Sequence, residues 1–434
     1  MIPEVKERIE QIRHGIVPEG YKINKDGIHP AEWFAKKIDQ WLKLAERPVV
    51  LKDDESYQLV TVRRGFGGVD SRGNFLGKNV LVKNYYSVNT GDFIISKRQI
   101  AHGACGVVPE ELNGSVVSNE YNVFIPQDDT NIHMFNLMMQ SPHYRRLFYL
   151  MSDGVHIEKL LFKTQDWMRR TLAMPQFDEQ QRIAEILTTQ DKVIELKEKL
   201  LAEKQRQKKY LMQQLLTGKK RLPGFDGEWK RLPFTEVFSF LPTNTLSRDC
   251  MSETVGTVLN IHYGDVLVKY PEILDADKIG IPFIKHGFEP SNISYVRNGD
   301  VIIADTAEDL SVGKAVEIQN VSQRLIASGL HTMFCRPNHD LFAAGWLGYY
   351  INSSVFHDQL LPLISGVKVS SISKKEIIKT TISVPTIEEQ RAIANILSVA
   401  DVEIMLLNQD IEQEKQKKKA LMQLLLTGIV RVNI

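Results

Sequence analysis

The chain says one thing twice. The segment PQFDEQQRIAEILTTQDKVI from Pro175 returns as PTIEEQRAIANILSVADVEI from Pro385, and YLMQQLLTG from Tyr210 returns as ALMQLLLTG from Ala420. Both anchors keep a single offset of 210 residues, so Glu179/Glu389, Gln180/Gln390, Ile183/Ile393, Leu187/Leu397, Asp191/Asp401 and Gly218/Gly428 align without a gap. An internal duplication beside two long divergent segments restricts the fold to a pseudo-symmetric one, in which two different modules ride on matched supports.

The duplicated segments are helices by every local criterion. Pro175 and Pro385 precede the acidic pairs Asp178-Glu179 and Glu388-Glu389, which suit the positive end of a helix dipole, and Gly218 and Gly428 supply the left-handed residue that ends a helix. Each helix is then about forty residues, or roughly 60 Å. In the second copy Ile393, Leu397, Ala400, Ile404, Leu407 and Ile411 follow alternating four- and three-residue steps, the seam of a coiled coil. Every seventh residue gives Leu187, Ile194, Leu201, Lys208, Leu215 in one copy and Leu397, Ile404, Ile411, Lys418, Leu425 in the other. Both seams are broken by lysine at the same step. Two such helices separated by a folded module are expected to pair antiparallel, with an approximate two-fold relation between the halves.

The divergent modules read as α/β. YQLVTVRR at 57–64, GDFIIS at 91–96 and YNVFI at 121–125 are strand-like runs between glycine turns, matched in the second module by TVLNIHYGDVLV from Thr257, GDVIIA from Gly299 and HTMFC from His331. Each module ends in a helical stretch, near Met134 to Leu150 and near Leu341 to Leu363, followed by a glycine-led basic segment at Gly154 and at Gly366.

Chemistry-bearing motifs are missing. No Asn-Pro-Pro-aromatic loop and no glycine-rich cofactor turn occurs, and Gly73-Asn74-Phe75-Leu76-Gly77-Lys78-Asn79 is one residue short of a phosphate loop, with Asn in place of Ser or Thr. The 11 histidines show no metal spacing, and Cys105, Cys250 and Cys335 stand too far apart for a ligand cluster, as expected in a reducing cytosol. A non-catalytic chain with no metal is the expectation. The net charge of +1 places any nucleic-acid contact in local patches. The charged start MIPEVKERIEQIRHG lacks an apolar signal core and no run reads as a membrane span, so a cytoplasmic location is expected.

The paired helix motifs EQQRIAEIL from Glu179 and EEQRAIANIL from Glu388, each running to LLTG, resemble the conserved regions of specificity subunits of type I restriction-modification systems. VRRGFGGV from Val62, SKRQIAHGACGVVPEEL from Ser96, IHYGDVL from Ile261 and ADTAEDLSVGKAVEI from Ala304 are similar to that family's target-recognition domains, and LPGFDGEWKRLP from Leu222 to its entry into the second one. The resemblance covers nearly the whole chain. It implies a subunit that reads a split DNA target, one half per domain, while the coiled coil fixes the spacer. It also implies that catalysis belongs to partners: two methyltransferase subunits using S-adenosylmethionine, and restriction subunits using ATP and Mg. No cofactor is expected on this chain. Half-sites near multiples of one helical turn, roughly 34 Å, are compatible with a rod of that kind.

The expected architecture is therefore an α/β (α+β) chain with two pseudo-symmetric recognition domains separated by a long two-helix antiparallel coiled coil. Its parts are an N-terminal stub at 1–30, recognition domain 1 at 31–173, helix 1 at 174–219, recognition domain 2 at 220–383, and helix 2 with the tail at 384–434. The stub's QIRHGIV, from Gln11, echoes Leu424 to Val430 and is a candidate third helix end docking beside the C-terminus.

Candidate DNA contacts follow from residue type and loop position. In the first module they are Arg63, Arg64, Lys97, Arg98, Gln99, His102 and Asn119, since Arg and Gln pair bidentately with guanine and adenine edges. In the second they are His262, Tyr263, Asp265, Lys269, Thr306, Glu308, Lys314 and His331, where a carboxylate can accept from cytosine's amino group. The runs Lys204, Arg206, Lys208, Lys209 and Lys415, Lys417, Lys418, Lys419 read as a solvated coiled-coil face, with phosphate contact as the alternative. Glu179, Gln180, Glu389 and Gln390 are the candidates for docking methyltransferase subunits. A coiled-coil scaffold carrying two protein-binding modules is the competing function.

Overall fold

The computed structural model describes residues 3–24, 27–154, 160–366 and 368–432. Parts of the basic segments expected after Gly154 and Gly366 fall at 155–159 and 367, outside the described residues. The chain forms two compact units, Met1–Lys197 with Asp410–Ile434 and Glu198–Gln409. The expected boundaries at 174 and 384 run between module and helix. The units instead divide each long helix, because the packing described next gathers helix ends around each module.

Both repeats are helices of 39 residues, Phe177–Leu215 and Ile387–Leu425, each about 58 Å long. Neither contains Gly or Pro, and both carry two acidic residues in the first turn. Gly218 and Gly428, at φ 68° and 69°, turn the chain left-handed just beyond each end.

Within unit 1, Ile183 and Leu187 near the start of the first helix share a core with Leu425 and Leu426 at the end of the second. Within unit 2, Leu215 and Leu216 share a core with Ile393 and Leu397. Start lies beside end in each, so the helices are antiparallel in both units. The lysines that interrupt the seams explain themselves here. Lys418 pairs with Asp191 at 2.5 Å in unit 1, and Lys208 pairs with Asp401 at 2.6 Å in unit 2. These are the same ion pair with helices exchanged. Burial opposes the charge of Lys208, but Glu272 and Asp401 together hold its ammonium above the usual lysine range.

A second repeated contact ties each helix start to the tail of the other helix. Arg221, just past the first helix, grips Glu389 through two bonds of 2.7 Å, and Trp229 Nε1 donates to the same carboxylate at 3.1 Å. Arg431 grips Glu179 through two bonds of 2.7 Å. Both glutamates are 1% exposed. A bidentate guanidinium supplies the hydrogen bonds that a carboxylate withdrawn from water gives up.

The two divergent modules share one plan. Unit 1 has an antiparallel sheet in the order Cys105–Val107, Phe93–Ser96, Tyr121–Pro126, Leu42–Leu44. Unit 2 repeats it as Ala315–Gln319, Val301–Ala304, Thr332–Pro337, Phe238–Leu241, and adds Ile273–Asp275 parallel to the first of these. A second sheet in each unit contains one parallel pair, Val116↔Leu59 and Leu259↔Ile326. The mixed α/β class agrees with the sequence reading.

Two local readings need correcting. The run TVLNIHYGDVLV is a strand only at Leu259–Ile261; Tyr263–Val268 is helical, because the His262 ring accepts from Gly264 N–H and caps it. The single helical stretches closing each module are pairs of short helices, Ile132–Met139 with Pro142–Leu150 and Trp346–Ile351 with Ser354–Leu360. The second long helix also contains a window of mean hydropathy 1.2, long and apolar enough to pass for a membrane span by length and composition. Its apolar count comes from two faces. One faces the seam, and the other exposes Val399, Val402, Met405 and Leu406, each at least half exposed. Asp401 and Glu403, in the same stretch, are ion-paired to Lys208 and Lys204.

The N-terminal helix Pro3–Arg13 docks where the echo in the sequence suggested. Arg8 donates to the carbonyl of Ile429 at 2.5 Å, and Tyr21 OH to that of Gly428 at 2.6 Å.

Removing Arg431 strands the Glu179 carboxylate inside unit 1. Arg431→Ala is expected to destabilise that unit by about 3 kcal/mol, the lower end for a broken buried pair because the arginine is partly exposed. Denaturant midpoints check this, and an unchanged midpoint contradicts it.

Candidate nucleic-acid interface

The loops that carry most candidate residues are set by a repeated device beneath them. Gly91 and Gly299, at φ 84° and 83°, each turn the chain into a buried aspartate. Asp92 accepts from Asn89 N–H at 2.7 Å and from Arg47; Asp300 accepts from Arg297 N–H at 2.7 Å and from Arg336 at 2.7 and 2.9 Å. Each anchored turn starts a wholly buried strand, Phe93–Ser96 or Val301–Ala304, whose end delivers the candidate side chains.

At that end the two units diverge in charge. In unit 1 Lys97 N–H donates to the carbonyl of Glu120 at 2.9 Å, and Arg98 pairs with the Glu120 carboxylate at 2.6 Å. In unit 2 the same backbone bond joins Asp305 N–H to the carbonyl of His331 at 3.1 Å. There Thr306 donates to Asp305 at 2.8 Å and lies 3.4 Å from His331 Nδ1. Equivalent turns thus present Lys, Arg and Glu in one unit and Asp, Thr and His in the other. His331 holds φ 53°, in the left-handed region that few residues other than glycine adopt, so its ring projects from a constrained backbone.

The Arg63-Arg64 loop joins the first group. Gly65 N–H donates to His102 O at 2.7 Å and Phe66 N–H to Gly103 O at 2.8 Å, while a side chain at Gly103 would strike the Phe66 ring. Arg63 pairs with Asp70, and Arg64 is exposed. Gln99 Oε1 and His102 Nε2 are buried without a hydrogen-bond partner. Asn119 is exposed and lines a shallow cavity of about 110 Å³ with Lys97 and Tyr121. The structure therefore brings together all seven candidates of the first module.

The second module is more selective. His262, Tyr263, Thr306 and His331 gather: the Tyr263 ring lies 4.6 Å from His262 and 5.3 Å edge-on to His331. Asp265 is not free to accept from a base. It is buried under a bidentate clamp from Arg248, with both bonds at 2.9 Å. Lys314 turns inward to the carbonyl of Leu267 at 2.8 Å, and burial lowers its basicity. Lys269 is exposed with its ammonium over the Tyr270 ring, and Glu308 is exposed beside the strand end.

Glu179, Gln180, Glu389 and Gln390 are buried, which corrects their reading as a docking surface. The glutamates sit in the arginine clasps. The glutamine amides, 0% exposed, cage the chain around them: Gln180 accepts from Asn131 N–H and donates to Asp129 and Pro175 carbonyls, as Gln390 does with Ala343, Leu341 and Pro385. The lysine-rich runs are largely consumed by ion pairs along the helices, including Lys204–Glu403 at 2.7 Å and Lys417–Glu414 at 3.5 Å. Two arginines escaped the sequence reading. Arg145 lies 4.9 Å over the Phe66 ring at the edge of the first cluster, and Arg248 supports the second. Only the basic pair Arg145-Arg146 gave any signal. No group of His, Cys, Asp and Glu among the described residues has metal-holding geometry, and burial pushes the thiols of Cys105 and Cys335 far up.

Known proteins match this architecture along its length. A family model described as type I restriction modification DNA specificity domain matches twice, over residues 36–205 and 249–416. A putative type I restriction enzyme MjaX specificity subunit from Methanocaldococcus jannaschii is 24% identical over 437 residues, covering 95% of this chain and 97% of the relative. The MjaVIII specificity subunit of the same organism is 20% identical over 435 residues, covering 93% and 94%. A chain from a structure of type I restriction-modification complex assembly and conformational transition superposes with TM-score 0.58 at 18% identity, covering 93% of this chain and 99% of that one. The S subunit from M. genitalium does so with TM-score 0.54 at 12% identity, covering 96% and 100%. These two establish the fold.

Burial, and then the positive charge of Arg248, hold His262 below the ordinary histidine range, against a smaller opposing pull from Asp265. The folded ring therefore binds fewer protons than the unfolded one, so unit 2 loses stability as pH falls below about 6.5. His262→Gln is expected to flatten the dependence of the unit 2 unfolding midpoint on pH between about 5 and 7. An unchanged slope contradicts the assignment.

Proposed function

The chain belongs to the type I restriction modification DNA specificity family, and on that premise we propose that it is the DNA-reading subunit of a type I restriction-modification complex. Each recognition domain reads one half of a split target, and the two 39-residue helices set the spacing between halves. One observation carries this reading. A common scaffold, repeated to the level of single ion pairs, presents different side chains at one equivalent turn: Lys97, Arg98 and Glu120 in unit 1, Asp305, Thr306 and His331 in unit 2. Selection for two different sequences on one framework produces that pattern, because base edges are told apart by donor and acceptor type.

The chain itself is proposed to be non-catalytic and to bind no cofactor. Methyl transfer to adenine N6 and ATP-driven cleavage fall to methyltransferase and restriction partners in the cytoplasm. With Glu179 and Gln180 buried, the better partner face is the exposed apolar stripe Val399, Val402, Met405 and Leu406, since neighbouring apolar side chains left in water on a helix favour a packed partner.

Half-site readout separates this function from a protein-binding scaffold. Arg98→Ala and His331→Ala are each expected to weaken specific duplex binding by about 1–3 kcal/mol and to relax specificity in one half of the target only, in gel-shift series at fixed salt. Salt-insensitive binding, or loss of specificity in both halves from one substitution, contradicts it. Met405→Asp with Leu406→Asp is expected to abolish co-purification with the methyltransferase subunit while DNA binding by the isolated chain persists. Retained assembly removes the stripe as the partner face.

A further inference from the structure

Unit 1 holds a cavity of about 680 Å³ between the helix pair and the module, in the size range of small-molecule sites. Its walls are mainly apolar, with Ile194, Met422, Leu426 and Met138 among them, and its polar rim is cationic. Lys418, Lys419 and Arg145 line it, and Asp191 is the one carboxylate among the described lining residues.

Unit 2 shows what this position takes when it is filled. There the equivalent lysine, Lys208, meets Asp401 from the other helix and a second carboxylate, Glu272, at 2.9 Å. The Tyr349 ring covers the same ammonium, 5.5 Å from its centroid, and its hydroxyl donates to Asp401 at 2.6 Å. Glu272 leads into the edge strand Ile273–Asp275, which the four-stranded sheet of unit 1 lacks. Tyr349 lies on the helix Trp346–Ile351, and its counterpart Ile132–Met139 contains no tyrosine. Lys418 keeps Asp191, and among the described residues no second carboxylate lines the cavity, whose wall also carries the aromatic side chains Trp33 and Tyr144.

We propose that this cavity binds a small aromatic carboxylate. The carboxylate bonds Lys418 from the side opposite Asp191, as Glu272 does at Lys208. The ring lies against Met422 and Leu426 and covers the ammonium, as Tyr349 does. The chemistry is that of the two unit 2 side chains joined in one molecule. This site stands independently of the DNA-reading function.

The test uses 4-hydroxyphenylacetate, which carries both groups, titrated calorimetrically into the full chain. Saturable binding of one molecule per chain is expected, with Kd on the order of 1 mM or tighter for a ligand of this size. The neutral 4-hydroxyphenylacetamide and the cationic tyramine are expected to bind at least about tenfold more weakly. Met422→Trp, which fills the cavity and leaves every charge in place, is expected to weaken binding by about tenfold or more. No saturable binding by the native chain overturns the proposal. So does equal binding of the amide or the amine, or full binding by a folded Met422→Trp chain. Should that variant not fold, the three-ligand comparison on the native chain decides alone.

Discussion

The architecture depends on a buried glutamate held by an arginine from the far end of the other repeat. Glu179 and Glu389 each sit in the first turn of a long helix, where an acidic residue helps the dipole, yet both are withdrawn from water. A lone carboxylate there would be prohibitively costly. Arg431 and Arg221 make the burial tolerable, and each lies just past the end of the partner helix. The start of one helix is thereby tied to the end of the other in each unit, which permits antiparallel packing and excludes parallel. The Lys418–Asp191 and Lys208–Asp401 pairs fix the register further along. A buried ion pair adds little net stability over an apolar replacement, whereas removing one partner strands a charge.

With the framework fixed twice, the modules are free to differ. The buried Gly-Asp turns and the first-sheet order are retained, so a strand end arrives at the same place in each unit. What it delivers there is basic in one and acidic and imidazole-bearing in the other. Constraint and variation are separated by a few residues along the same strand. This is how a duplicated protein acquires two specificities without a second fold, and the same asymmetry sets Glu272 and Tyr349 against one lysine and a cavity beside the other.

Much of this was legible in the sequence, where the signal was local or repeated. The 39-residue helices, their glycine ends and the seam lysines followed from spacing alone. So did the strand after each Gly-Asp pair. What failed were properties set by distant partners. Glu179 reads as a surface residue in a first turn, and nothing near it announces Arg431. Asp265 reads as a base acceptor until Arg248 is seen to clamp it. The helix Tyr263–Val268 was hidden because Val266-Leu267-Val268 is a short apolar, β-prone run that reads as a strand, and only the His262 cap decides otherwise. Arg145 stood out only as half of the basic pair Arg145-Arg146, since its place over Phe66 depends on how a helix crosses the loop.

The central claim is that one chain reads two half-sites on a shared frame. Mapping N6-methyladenine across the DNA of cells that express this chain with a cognate methyltransferase subunit tests it most directly. The account predicts a single split motif, two specified halves around an unspecified spacer of constant length, that vanishes when this chain is omitted. A continuous motif, or an unaltered methylation pattern without the chain, would contradict it.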